Sequence, residues 1–375
     1  MPNIESYLEW RGDIPFSVDP FNEVDNLVLA ELAYTEFGDL IPEGSRVPLR
    51  RVQKEFFETH SREEIRRSKN PIRRAPLLMD IMITGQRFGD IRLMDYVDII
   101  DTDNDVQMSA VTYLLDDETA YVAFRGTDNT LVGWKEDFNM SYLPETGGQR
   151  KAIEYLDLAA AHLRRPLRVG GHSKGGNFAV YASAFARKSV QDRIINVYTN
   201  DGPGFRDEVM KTDEYKAILP KVISIVPETC IIGMLLASSV NHIIVESNDQ
   251  GLMQHDGQTW QVRRNRFRRT EMSDLGNFIR KAQKDWLSKL DDDRREFFVD
   301  TLFSLLEASG VDTFGEMVSR KNKTAERIIS VIQDIPRENQ KEFMKIIGEL
   351  IQSSGQTAVS SFSEWIRSQM DNNDR

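Results

Sequence analysis

The spacing of apolar positions changes character several times along the chain. Residues 3–37 carry Tyr7, Trp10, Phe16 and Phe21, and residues 24–37 repeat apolar side chains every three or four positions, which predicts a helix within a structural entry segment. Residues 49–68 are charge-rich, with Val52, Phe56, Phe57 and Ile65 spaced as one apolar stripe, so an amphipathic helix lying over the core is expected. Pro71 and Pro76 punctuate it, and residues 77–84 begin another helix or turn. From Ile99 the period shortens. Residues 107–115 and 120–127 read as two strands joined by a turn over 116–119, a hairpin that ends at Gly126 and Thr127. A loop over 128–143 precedes a helix over 149–164, a buried strand ending over 167–169, and a small-residue helix over 177–186. Three β-branched runs follow, at 193–199, 221–226 and 242–246, each closing in a polar or glycine-rich loop. Beyond Val262 the pattern is helical, over 272–290, 294–306, 324–335 and 338–351. No internal repeat interrupts this order.

Between the buried strand and the small-residue helix lies Gly171-His172-Ser173-Lys174-Gly175. Gly-x-Ser-x-Gly at a strand-to-helix junction is the pattern of a nucleophile elbow, where the strand and helix nearly touch and bulky flanking side chains do not fit. Strand, loop, helix, strand, elbow, helix is the winding order of an α/β-hydrolase fold. The expected architecture is therefore α/β, a mostly parallel sheet with helices on both faces followed by an all-α appendage. The expected divisions are a helical entry segment over 1–98 packed on the core, a catalytic core over 99–265, and a helical appendage over 266–375.

Composition narrows the partners. A net charge of −11 argues against nucleic acid. The run from Arg263 to Arg269 holds five arginines and reads first as a solvated basic loop; peripheral contact with phosphates or acidic lipids is its functional reading. Cys230 is the single cysteine, which leaves no internal disulfide and suits a reducing interior; its apolar neighbours make it a core thiol. The amino terminus shows neither the basic nor the apolar region of a secretory signal, so a cytoplasmic protein is expected. Residues 222–240 approach the length of a membrane span, but Pro227, Glu228 and Thr229 interrupt them, and a buried strand followed by a buried helix is the better reading.

A serine needs a base, usually histidine, oriented by a carboxylate. Of five histidines, His60 and His162 precede the elbow and His172 adjoins the serine, where its side chain must point away from the nucleophilic oxygen. His242 starts the last strand, at the wrong end of the sheet, while His255 follows that strand's carboxyl end and is the expected base. Two carboxylates compete for the orienting role. Asp201 sits among glycines that leave room for a histidine and is placed ahead of Glu228; a turn-forming aspartate and a helix-dipole glutamate are the plain alternatives. The backbone amides of Lys174 and Thr127, with Asp128 next, are the expected oxyanion donors, and Arg125 is expected in a structural ion pair with Asp137. No cofactor or metal is expected: there is no P-loop or dinucleotide spacing, and the scattered histidines form no ligand pattern.

Phe124-Arg125-Gly126-Thr127, Trp134, Asp137 and Gly171-His172-Ser173-Lys174-Gly175-Gly176 resemble the class-three lipases. A fuller resemblance, over about residues 3–262, is to the lipase-related bacterial Mbeg-like family. It is carried by Trp10-Arg11-Gly12-Asp13, Pro20-Phe21-Asn22, Trp134-Lys135-Glu136-Asp137, Asp201-Gly202-Pro203-Gly204-Phe205 and Gln254-His255-Asp256 with Trp260. The resemblance implies Ser173 and His255 as nucleophile and base and Thr127 and Lys174 as oxyanion donors. It departs from the lipases at Ser224-Ile225-Val226-Pro227, which lacks their carboxylate. The leading expectation is a lipase- or esterase-like serine hydrolase acting on a small-molecule or lipid ester through an acyl-enzyme. Thioesters and amides stay open as substrates, and 128–143 or 207–219 could form a lid. The alternative is a non-catalytic protein that binds an apolar ligand and recruits a protein partner through its C-terminal helices.

Overall fold

The structure, a computed structural model, describes residues 1–308 apart from 69–70, 129, 231, 235 and 288, together with 341–343 and 345–346. The helices expected over 324–335 and 338–351 lie outside the described residues, except for 341–343 and 345–346.

Eight strands form one sheet in sequential order: β1 Val47–Pro48, β2 Arg92–Asp101, β3 Val106–Leu114, β4 Ala120–Phe124, β5 Leu167–His172, β6 Ile194–Asn200, β7 Val222–Pro227 and β8 His242–Val245. The pairs from β1 to β4 are antiparallel and those from β4 to β8 parallel. This is the α/β sheet that was expected, with its parallel strands from β4 to β8. Sheet begins earlier than the period shift at Ile99 suggested, so the boundary drawn there falls inside β2. The alternation was hidden by a register shift between Met94 and Val97, where Asp95 adopts a φ of 54°.

Sequential parallel strands joined by right-handed crossovers place every crossover helix on the same face. On that face α5 Gly147–His162 and α6 Lys174–Phe185 pack Ala152, Leu156, Phe178 and Ala182 against Val122, Phe124, Val169 and Val197. The opposite face would be bare without the entry segment. There α1 Ile4–Arg11 and α2 Glu23–Leu32 lay Ile4, Val24, Leu27 and Val28 on Tyr121, Ala123, Tyr198 and Ile225. Alternation along β4 sends Tyr121 and Ala123 to one core and Val122 and Phe124 to the other. A buried ion pair locks this layer: Arg87 lies 2.5 Å from Asp25, both side chains fully buried, and also donates to the carbonyls of Ile14 and Asp19 at 3.0 and 2.9 Å.

Three sequence expectations change in detail. Residues 49–68 form two helices, α3 Leu49–Thr59 and a short one at Arg62–Arg67, because Ser61 caps the second by accepting from Glu64. The loop over 128–143 contains α4 Leu131–Asn139, capped by Thr130. Between β7 and β8 the described residues form a 3-10 turn, Ile232–Met234, where a buried helix was expected. The backbone donors there are taken from outside: Thr229 by Gln254, and Gly233 by Asp201. Past the sheet, α7 Asp274–Leu287 and α8 Asp292–Ala308 follow, and α8 lies along α4, with Phe138 and Phe303 rings 5.9 Å apart and Arg295 donating to the Ser141 carbonyl at 2.7 Å. Among the described residues no helix is long and apolar enough to cross a membrane.

Candidate active site

β5 ends at His172 and α6 starts at Lys174, so Ser173 alone makes the turn, at φ 57° and ψ −133°. A non-glycine residue at positive φ is strained, and such strain concentrates at functional sites. The flanking glycines are demanded by backbone contact: a Cβ on Gly171 would lie 2.3 Å from the Gly175 carbonyl carbon, and one on Gly175 2.1 Å from the Phe124 oxygen. The loop after β4 also runs against the serine, since a Cβ on Gly126 would come within 3.0 Å of Ser173 Cβ. That brings Thr127 to the serine's side. Neither the Thr127 nor the Lys174 amide is hydrogen-bonded to another described residue, leaving two free donors beside the elbow.

His255 ends a 3-10 turn, Gly251–His255, and its Nδ1 lies 2.6 Å from Asp201 Oδ2. Asp201 follows β6 directly, at φ 50°, and is almost fully buried. Its other oxygen accepts from Cys230 Sγ at 2.7 Å and the Gly233 amide at 3.2 Å. Burial alone would push the Asp201 carboxyl up; the hydrogen bond and charge of His255 and the Cys230 thiol outweigh it and hold it below its ordinary value. An ionised carboxylate only accepts, so His255 Nδ1 carries the proton of this bond. The other carboxylate, Glu228, accepts instead from Gln254 at 3.3 Å. Ser173 Oγ makes no side-chain hydrogen bond to a described residue, a contact that hydrolytic sites commonly close only with substrate bound.

A family model described as Mbeg1-like matches residues 82–304, well over half of the chain and including Ser173, Asp201 and His255. The chain belongs to the Mbeg1-like family. Among solved structures it is similar to the Rhizomucor miehei lipase propeptide complex, at 16% identity and a TM-score of 0.32, covering 41% of this chain and 57% of that one. It is also similar to a fungal lipase–inhibitor complex (16%, TM-score 0.35, 59% and 76% covered) and to M37 lipase (14%, TM-score 0.33, 61% and 69%). This Mbeg1-like chain spans less than two thirds of the Rhizomucor miehei lipase chain. No curated protein matches it.

The remaining histidines have other settings. His242 bonds Ser224 Oγ at 2.8 Å where β8 begins, His162 meets Asp95 at 3.0 Å, and His60 stacks on Phe56. Arg125 pairs with Asp98 at 2.8 Å and lies 3.7 Å from Asp128, not with Asp137 as expected, because its side chain reaches across β3 to β2 while Asp137 accepts from Thr127 Oγ1 at 2.5 Å. Burial pushes Asp137 up to about 6. The Lys174 side chain is fully buried and ion-paired with Glu136 at 3.2 Å; Glu136 also accepts from the amides of Gln107 and Gly148 at 2.9 and 2.6 Å. One carboxylate thus ties the start of α6 to β3 and α5. Among the described residues no three potential metal ligands converge.

The sequence reading missed what stands behind His255. His172 Nε2 lies 2.7 Å from the His255 carbonyl oxygen and the two rings are 4.6 Å apart. A carbonyl only accepts, so Nε2 donates and Nδ1 must accept, here from Tyr34 OH at 2.9 Å. Burial, then the neighbouring His255, pushes His172 down to about 3, which keeps this tautomer neutral. Tyr34 carried no signal in the sequence, since its partner lies 138 residues away.

Proposed function

We propose that this Mbeg1-like protein is a serine hydrolase that cleaves a carboxylic ester, of a small molecule or a lipid, through a triad of Ser173, His255 and Asp201. The observation that carries the reading is the 2.6 Å hydrogen bond between His255 and Asp201, 54 residues apart, beside a serine held at positive φ. Ser173 Oγ attacks the ester carbonyl carbon while His255 Nε2 takes its proton. Asp201 holds the Nδ1 proton and stabilises the imidazolium. The developing oxyanion accepts from the Thr127 and Lys174 amides, each worth about 3 kcal/mol of barrier. The imidazolium then protonates the departing alkoxide, the alcohol leaves, and an acyl-enzyme remains. Water, deprotonated by His255, attacks it; the carboxylic acid is released and Ser173 recovers its proton. A single cysteine, with no partner for an internal disulfide, supports a cytoplasmic setting.

A fluorophosphonate probe tests this directly. Wild-type protein should label covalently and Ser173→Ala should not. Folded wild-type protein that stays unlabelled while binding a lipid ester would overturn the hydrolase in favour of a non-catalytic binder.

A further inference from the structure

Residues 262–267 form a small hairpin, β9 Val262–Arg263 and β10 Arg266–Phe267, whose two faces differ sharply. Inward, Val262 and Phe267 are paired and buried, with the Phe267 ring 5.6 Å from that of buried Trp260, and the Phe267 amide donates to Glu23 at 2.8 Å. Outward, Arg263 stands directly opposite Arg266, and Arg264 occupies the turn at φ 61°. Like charges placed opposite across a strand pair destabilise it, and a positive φ adds strain at the same point. Arg268 and Arg269 are each satisfied by a carboxylate, Glu246 at 2.9 Å and Glu23 at 2.6 Å. Arg263, Arg264 and Arg266 are exposed and have no acidic partner among the described residues. The hairpin therefore holds three unneutralised cations together on a rigid base, in a chain whose net charge is −11.

Exposed apolar side chains adjoin it. Met1 is 78% exposed, and the neighbouring Pro2 carbonyl accepts from the Val262 amide at 2.8 Å. Met1, Pro2 and Val262 line a groove of about 410 Å³ edged by Arg263 and Arg268. Val18, 73% exposed, precedes Asp19, which accepts from Asn265 at the hairpin turn at 3.1 Å. Asp19 also pairs with Arg11 at 2.7 Å, next to Trp10, which is 56% exposed.

We infer that this hairpin and its apolar surround dock the protein on an anionic lipid surface. Guanidiniums meet the headgroup phosphates while Met1, Val18 and Trp10 enter the interfacial layer. Aliphatic Met1 and Val18 have a place in lipid and none against a nucleic-acid backbone, and the acidic remainder of the chain is repelled by any anionic surface, which leaves the hairpin as the face that approaches. This inference does not rest on the hydrolase reading.

The test is vesicle flotation of the full chain with phosphatidylcholine alone and with phosphatidylcholine mixed about two to one with phosphatidylglycerol. Wild-type protein should float only with the anionic vesicles and detach as salt rises. The triple variant Arg263→Gln, Arg264→Gln, Arg266→Gln should lower partitioning about 100-fold, three charges at roughly fivefold each. Its melting temperature should not fall, because the cross-strand repulsion is relieved. Tryptophan emission should shift to the blue on anionic vesicles, and Trp10→Phe should remove most of the shift. Equal flotation with neutral vesicles, undiminished binding by the triple variant, or binding to RNA without binding to vesicles would each overturn the inference.

Discussion

Replacing Glu31 by glutamine should change how stability depends on pH. Glu31 lies on α2 with its carboxyl group buried 3.7 Å from His172 Nδ1. Its Oε1 has no hydrogen-bond partner among the described residues, and Oε2 accepts only a long bond, 3.4 Å, from Gln258. Burial, then the neighbouring Asp256, pushes it from 4.5 up to about 8. An unfolded chain loses this proton near pH 4.5, whereas the folded protein keeps it until about pH 8, so between those values the folded state binds more protons and stability falls as pH rises. The slope is about 1.4 kcal/mol per pH unit, and the whole window is worth at most about 5 kcal/mol, part of it shared with Asp256. Glutamine fills the same space and does not titrate. His172, pushed down to about 3, acts in the opposite sense: stability rises with pH between about 3 and its ordinary value of 6.5, and that contribution is common to both proteins. Urea denaturation of wild type and Glu31→Gln at pH 5, 6, 7 and 8 should therefore show the variant gaining on wild type by several kcal/mol toward pH 8. A difference that stays flat with pH would refute the reasoning.

Two further outcomes follow from single contacts. Arg87→Met should leave Asp25 buried without its ion-pair partner and reduce stability by about 3–5 kcal/mol in urea denaturation; a loss below about 1 kcal/mol would mean that the pair does not hold the entry segment. Cys230→Val removes a donor from Asp201 and should slow fluorophosphonate labelling about tenfold, while Cys230→Ser keeps a donor and should label near the wild-type rate; equal rates for all three proteins would leave the thiol without a part in holding the acid.

Much of the sheet could be read from the chain because its strands are continuous apolar runs: 193–199, 221–226 and 242–246 match β6, β7 and β8 to within a residue or so. β2 was half lost because a bulge breaks its alternation, and a two-residue strand such as β1 has no period at all. His255 emerged from chain order, since few histidines follow the serine. The sequence ranks Asp201 ahead of Glu228 only by the room its neighbouring glycines leave, because each follows a strand and the difference lies in which one turns toward His255. The conformation that turns Asp201, a positive φ at a non-glycine residue, is invisible in the residue type. Cys230 was legible as a core thiol and not as a donor, for its partner is 29 residues distant.

The entry segment, read first as structural, is better understood through the strand order. A sheet whose parallel strands run in sequence has all its crossover helices on one side, and something else must cover the other side, directly under the strand ends that carry the site. α2 does so, and its polar residues face the elbow as its apolar ones face the core. Asn26 accepts from Tyr121 at 2.7 Å and donates to Asn200 at 2.8 Å; Asn200 in turn donates to the Gly171 carbonyl at 3.0 Å and accepts the Ser173 amide on its own carbonyl at 2.9 Å. Glu31, near the end of α2, and Tyr34, just past it, reach His172 and through it the His255 carbonyl. Two routes therefore lead from α2 and the turn that ends it to both ends of the proposed proton transfer, the serine by way of Asn26 and the base by way of Tyr34. The same helix that closes the second core thus braces the backbone at Ser173 and at His255, so loss of the Asp25–Arg87 anchor that holds the helix should loosen both.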